Sequence, residues 1–307
     1  MQLSLFSVEN QSKELYRRNL SSFNLKQALR ELELWHRTVD APQDIPQKME
    51  AVQFLAEELN KQKNNELLFL AHLRQNYKNI KELQALKEDF RFLQKGLNKA
   101  LAERLNEQHY DFILDNLHPA EVFFQEEEYK RTIEAVENYV LHFGEHVFLR
   151  QIEGAAYFKL GENTKGRMFY TLALFNDPRL CRIPYFVNRL IKNKLHFLQN
   201  KFDEWNLLAF QLTFALWEDG QLHIDEKNEE FESFIKKKVE EKAGMILDVQ
   251  EAFLQFLHLL YLAETERLRI SSRNPSAYLL ELQEEMQNVH FDWFLRYENA
   301  LKKFYPI

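Results

Sequence analysis

Residues 154–178 read GAAYFKLGENTKGRMFYTLALFNDP, two runs at helical spacing separated by Gly161 and closed by Pro178. A glycine just past a periodic run ends one helix, and a proline just past the next ends the second. Gly154 and Ala173 are small where two such helices must approach closely, while Tyr157 and Tyr170 are large enough to fill the space between them. The stretch thus predicts a helical hairpin. It lies in the second of two successive windows of equal length, 113–146 and 147–180, each of which reads as helix, turn, helix and terminator.

That period and those residues resemble the tetratricopeptide repeat (TPR), whose unit is about 34 residues. Gly154, Tyr157, Gly166, Tyr170, Ala173 and Pro178 fall on signature positions of the motif, with Gly161 at its turn. Arg150 and Glu153 depart from it, standing where the motif has Trp and Leu, so Ile152 and its apolar neighbours are expected to carry that contact. The earlier window matches more loosely through Ala120, Phe123, Val136, Tyr139 and Gly144, with Pro119 and Glu127 in place of Leu and Gly. A third pair, Pro184–Leu198 and Phe202–Trp217, keeps only the helix-turn-helix plan. The resemblance implies an all-α fold, a TPR-like α-solenoid of stacked antiparallel helix pairs whose flanking helices continue a right-handed superhelix as degenerate repeats.

Composition agrees with helices. The chain has 307 residues, 45% of them hydrophobic, and only 7 glycines, none before Gly96. Average usage is about 7% glycine, and sheets, hairpins and phosphate-binding loops all draw on it. A Rossmann, P-loop or barrel enzyme is disfavoured on that ground. The net charge of −7 disfavours general polyanion binding. Cys181 is the only cysteine, so no internal disulfide is possible and a reducing, cytoplasmic setting is expected. The N-terminal MQLSLFSVENQSKELYRRNL lacks the pattern of a cleaved signal, and the apolar window Gly244–Ala263 is interrupted by Asp248, Gln250, Glu251, Gln255 and His258. It reads as a buried helix, with no membrane contact expected.

Three regions follow from the punctuation: an N-terminal helical region, 1–112; TPR-like pairs, 113–218; and a C-terminal helical region and cap, 219–307, entered through the polar stretch that begins near Glu218. In the first region, helices are expected over Leu25–Asp40, from Pro46 to about Leu59, over Glu66–Gln75, and as one long helix near 80–106. There Leu83, Leu86, Phe90, Leu93 and Leu97 alternate spacings of three and four, which allows self-association through that helix. In the last region, helices are expected along Val249–Ala263, from Pro275 to about Met286, and over Phe291–Phe304.

No motif points to catalysis. His142 and His146 are separated by Gly144 at an expected helix end, so they do not share a face as a zinc pair must. Glu33 with His36 is the chain's one Glu-x-x-His, where a di-iron bundle needs two. Glu126–Glu128 reads as a solvated turn. Serine elbows, Cys/His nucleophile patterns and glycine-rich nucleotide fingerprints are absent from the sequence, and no cofactor or metal is expected.

The sharpest asymmetry is 178–202, which holds Arg179, Arg182, Arg189, Lys192, Lys194 and Lys201 without a carboxylate. At helical spacing Tyr185, Arg189, Lys192, Asn193 and His196 fall on one side, and Val187, Leu190, Ile191, Leu195 and Leu198 on the other. The first set is the candidate binding face. It suits an acidic or amphipathic protein segment, with nucleic acid a less favoured ligand. The cationic clamp by which some TPR co-chaperones hold acidic tails is missing: its places carry Leu114, Leu117 and His118, then Phe148, Gln151 and Ile152. A groove near Phe123, Phe124 and Phe148 would instead favour an apolar or amphipathic segment. The expected function is a non-catalytic scaffold, adaptor or regulator; the alternatives are a peptide-responsive sensor acting on an effector and a helical enzyme with an unfamiliar site.

Overall fold

The computed structural model describes residues 5–38, 41–105, 109–270 and 275–304. Among these the chain is all-α, with fifteen α-helices and no strand. Short polar side chains set many helix starts: Asn24 accepts from the Gln27 N–H, Asn228 from Phe231, Asp248 from Glu251 and Ser276 from Leu279, at 3.3, 3.0, 2.8 and 3.1 Å. Each satisfies one of the donors that a helix start leaves bare. Contacts divide the chain into two compact units, residues 1–139 and 140–307.

The first unit contains α1 (Leu5–Ser21), α2 (Leu25–His36), α3 (Ile45–Lys61), α4 (Glu66–Asn76), α5 (Phe90–Arg104), α6 (Pro119–Gln125) and most of α7 (Tyr129–Phe143). Asp40 and Asn106, the expected ends of two helices, lie outside the described residues. The expected single helix over 80–106 is corrected: Lys81–Asp89 is a 3₁₀ helix and α5 begins at Phe90. Residues three apart eclipse one another in a 3₁₀ helix. Leu83, Leu86 and Asp89 therefore line one buried edge, and Asp89 takes the place that α-helical spacing gives to Phe90. The Asp89 carboxylate is fully buried and accepts from Arg17 Nε at 2.8 Å, Lys48 Nζ at 3.2 Å and Tyr16 Oη at 3.4 Å. These bonds tie α1, α3 and the 3₁₀ segment together and fix its register. Leu83, Leu86, Leu93 and Leu97 have no exposed surface. The stripe expected to offer self-association is used up inside the unit.

The first window departs from plan as well. Its opening residues form a turn in which the Ile113 N–H donates to the Leu117 carbonyl at 2.9 Å, and α6 starts only at Pro119. Proline lacks the N–H and clashes with a preceding turn, so it begins a helix rather than continuing one. Glu127, standing where the motif has glycine, is left-handed at φ 63, and Gly161 at the matching turn has φ 83.

The second unit holds α8 (Val147–Lys159), α9 (Asn163–Asn176), α10 (Arg189–Gln199), α11 (Trp205–Glu218), α12 (Glu229–Lys242), α13 (Val249–Arg269), α14 (Ala277–Val289) and α15 (Phe291–Phe304). Helices α8 and α9 cross closely and antiparallel, with Gly154 against Tyr170 and Phe158 against Gly166. A Cβ on Gly154 would lie 2.5 Å from Tyr170 Cδ1 and 3.0 Å from the Gly166 carbonyl oxygen. Tyr157 stacks on Phe169 at 5.2 Å, and Ile152 and Ala173 are fully buried. Arg150 and Glu153 form an ion pair at 2.9 Å, with Glu145 also on Arg150 at 2.8 Å. The two departures from the motif thus compensate each other.

Helix α13 is the unit's axis: Phe253 through Thr265 are all buried, which accounts for the apolar window. Among the described residues no helix is long and apolar enough to cross a membrane. Phe214 meets Trp293 at 4.7 Å and Trp217 meets Tyr297 at 5.4 Å, so α11 and α15 share one aromatic core with α13. For that reason the polar stretch after Glu218 does not separate two bodies. The stretch also contains a helix, α12, which buries Phe231 and Ile235 one turn apart.

Replacing Gly154 or Ala173 by Leu is expected to overpack the crossing and destabilise the protein by about 1–3 kcal/mol, read as a lowered denaturant midpoint. A second prediction concerns His258, whose Nε2 lies 3.0 Å from the Asn176 carbonyl oxygen while Nδ1 has no partner. Burial pushes its pKa down to about 4. Unfolded imidazole binds a proton that the folded one refuses, so this group's stabilisation is full above about pH 6.5 and falls by up to about 3 kcal/mol as pH drops to 4. Equilibrium unfolding across that range should show a slope that His258→Met reduces, the remainder coming from groups such as His146 and His290, whose pKa burial also pushes down.

Candidate functional site

The candidate face is presented by α10, and the chain between α9 and α10 determines how. Pro178 and Ile183 open two short 3₁₀ turns, Pro178–Leu180 and Ile183–Tyr185. Two buried polar side chains clamp them. The Gln151 amide donates to the Arg182 carbonyl at 2.9 Å and accepts from the Arg182 N–H at 2.7 Å. The Tyr170 hydroxyl donates to the Tyr185 carbonyl and accepts from the Val187 N–H at 3.0 Å. Burial pushes the Tyr170 hydroxyl pKa above its ordinary value, so it stays a donor. Asn188 then caps α10 by accepting from the Leu190 and Ile191 N–H groups at 2.9 and 3.3 Å.

Of the five residues expected on the face, Arg189, Lys192, Asn193 and His196 are exposed on one side of α10. Tyr185 is corrected. It belongs to a 3₁₀ turn and is buried, with its ring edge-on to Phe148 at 5.3 Å. The helix begins five residues later than its first apolar residues suggest, because Tyr170 and Gln151 hold the preceding chain in turns. Ile191, Leu195 and Leu198 face inward as expected, but Leu190 is 51% exposed. Phe197, which pattern reading passed over, is 53% exposed. At about 100° per residue Phe197 falls beside Asn193, and Leu190 lies next to it. The face is therefore a band of cations bordered by two large apolar side chains.

The cations of this segment differ in what they meet. Arg179 is paired with Asp177 at 2.7 Å and Lys194 with Asp219 at 2.5 Å. Arg182 lies over the Phe148 ring at 3.7 Å and Lys201 over Phe197 at 4.3 Å. Arg189 and Lys192 make no ion pair with any described residue. They point to solvent with their charge uncompensated.

Other sites offer less. The places of the cationic clamp are mostly core: Leu117, His118, Phe148, Gln151 and Ile152 are buried, as is Phe123. His146 caps α8 by accepting from the Leu149 N–H at 3.4 Å, whereas His142 lies in α7 on the other side of Gly144, which is left-handed at φ 86. Among the described residues no group of three His, Cys, Asp or Glu is placed to hold a metal ion. Glu33 and His36 are exposed on α2. Glu128 pairs with Arg131 at 2.5 Å. In the first unit a surface trough of about 410 Å³ runs between Asn64–Leu68 and His109–Ile113. Its one carboxylate on α4, Glu66, is bound by Arg104, which holds its pKa below the usual range. The chain matches no family model, no curated protein and no solved structure.

Tyr170→Phe tests how the face is positioned. It keeps the ring against Gly154 but leaves the half-buried Val187 N–H without its acceptor, at a cost of about 1–3 kcal/mol. Amide exchange at 185–191 should accelerate more than exchange in α8.

Proposed function

We propose that this chain is a non-catalytic protein–protein interaction module of TPR-like architecture, a scaffold, adaptor or regulator that receives an acidic, amphipathic partner segment on α10. One observation carries the reading: Arg189 and Lys192 are exposed without a counter-charge beside exposed Leu190 and Phe197. Unpaired cations bordering an apolar strip supply the two elements of such a contact, charge for steering and register and apolar area for affinity. The repeat period, the close crossing at Gly154 and the left-handed turn at Gly161 support the TPR-like reading. The contact we propose lies on the outer side of α10 rather than among the clamp positions, since those are filled by core residues.

Nucleic acid fits less well. A chain of net charge −7 with two uncompensated cations on this helix lacks the continuous positive track that phosphates require. The cytoplasm is the proposed location, in keeping with Cys181, a buried thiol whose pKa burial pushes up and which is therefore unreactive.

Reversing charge in Arg189→Glu with Lys192→Glu is expected to leave the helical circular dichroism and melting temperature unchanged, because neither side chain touches the core. Binding of a labelled acidic amphipathic peptide, followed by fluorescence anisotropy, should weaken by about tenfold or more at low salt, mostly through the association rate. The wild-type affinity should itself fall as salt rises, since exposed charges are screened over about 8–10 Å. An affinity indifferent to both changes would return α10 to an ordinary solvated helix.

A further inference from the structure

The second unit carries its own candidate for the acidic segment. Helix α14, AYLLELQEEMQNV, has three carboxylates and no Lys or Arg. It packs inward through Leu279, Leu282 and Met286, all buried. Its outer side exposes Glu281, Glu284 and Glu285, none of which makes an ion pair with a described residue. Leu280 stands beside them and is 52% exposed. At about 100° per residue these four side chains fall within roughly 140° of arc. The face is the counterpart of that on α10, where Arg189, Lys192, Leu190 and Phe197 share one side.

We propose that the segment received by α10 is α14 of a second copy of this chain. The proposal rests on the reading of α10 as a binding face and names its partner. Charge complementarity supports it: α10 contains no carboxylate and α14 no Lys or Arg, so a contact between them opposes unlike charges throughout, whereas α10 on α10 or α14 on α14 opposes like charges. The apolar side chains complete the match, Leu280 of one copy against the Leu190 and Phe197 border of the next. Each copy presents both faces, so two copies can pair reciprocally or several can associate head-to-tail. Two single helix faces make a small contact, so assembly is weak, concentration-dependent and salt-sensitive.

Sedimentation velocity from about 1 µM to about 100 µM tests this, because weak contacts populate over that range. Wild-type mass should rise with concentration at low salt and fall back at high salt. Chains carrying R189E with K192E, or E281K with E284K and E285K, should each remain monomeric with unchanged circular dichroism. Mixing the two reversed chains should restore assembly, because the acidic α14 of the first meets the basic α10 of the second and the inverted pair also matches. A synthetic peptide of residues 275–290 should bind wild type and not the α10-reversed chain. Assembly that survives either reversal, or reversed chains that stay apart when mixed, would overturn the proposal. A wild type that stays monomeric while an unrelated acidic amphipathic peptide binds α10 overturns this partner and leaves the binding face standing; if that peptide also fails to bind, both readings fall.

Discussion

The position of the α10 face depends on one side chain, Tyr170. Its ring fills the space that Gly154 leaves open, which sets how closely α8 and α9 cross. Its hydroxyl reaches past that crossing to the backbone of Tyr185 and Val187. One residue thus links the packing of a helical hairpin to the start of the next helix. Gln151 reinforces the link from α8 by bonding both polar groups of Arg182. Because Gln151 and Tyr170 are buried and their backbone partners at least half-buried, loss of one side chain leaves another group unsatisfied, and such losses cost more than an ordinary surface bond contributes.

The units reach stability by different means. In the first, buried charge organises the helices: Asp89 collects Arg17, Lys48 and Tyr16, while Arg74 donates to Asn98, Glu121 and Gln125 at 2.6, 2.9 and 3.0 Å. Such networks add little net stability compared with well-packed apolar groups, but removing one member strands a charge, so they specify register strongly. The second unit relies on aromatic packing around α13, with Phe214, Trp217, Phe253, Phe256, Trp293 and Tyr297 in one cluster. Its buried Glu264 is an exception; burial pushes its pKa up while Arg267 at 3.1 Å and Tyr297 at 3.3 Å hold it in place.

These two strategies explain what could be read in advance. Apolar periodicity and capping residues located α2, α3, α4 and α15 within a few residues and fixed the start of α13, which runs six residues further than expected, because there each face faces a single environment. The 3₁₀ segment was illegible, since Phe90 continues an α-helical stripe and nothing local marks Asp89 as the residue that will be buried; its partners lie at Arg17 and Lys48, far away in sequence. Helix α12 was hidden by its charges, which outnumber the two apolar residues it buries. Four of the five face residues were legible from the absence of carboxylates. Tyr185 was misplaced because a tertiary clamp, not local propensity, determines where α10 begins. Phe197 sits beside Asn193 by angle, but an aromatic residue amid cations reads by type as core, and only its 53% exposure places it on the face.

Where charge is satisfied indicates where interaction is possible. Asp89, Glu121, Glu153 and Glu264 are buried, and each meets a cation. Buried His258 meets no ion pair and stays a neutral ring with one bare lone pair, which costs far less than a bare charge. The uncompensated charges of Arg189, Lys192, Glu281, Glu284 and Glu285 lie outside on α10 and α14, in water, where they cost nothing to keep and are free to meet another surface. That separation, paired charge inside and single-signed charge on two outer helices, is the feature on which the proposed contact between α10 and α14 draws.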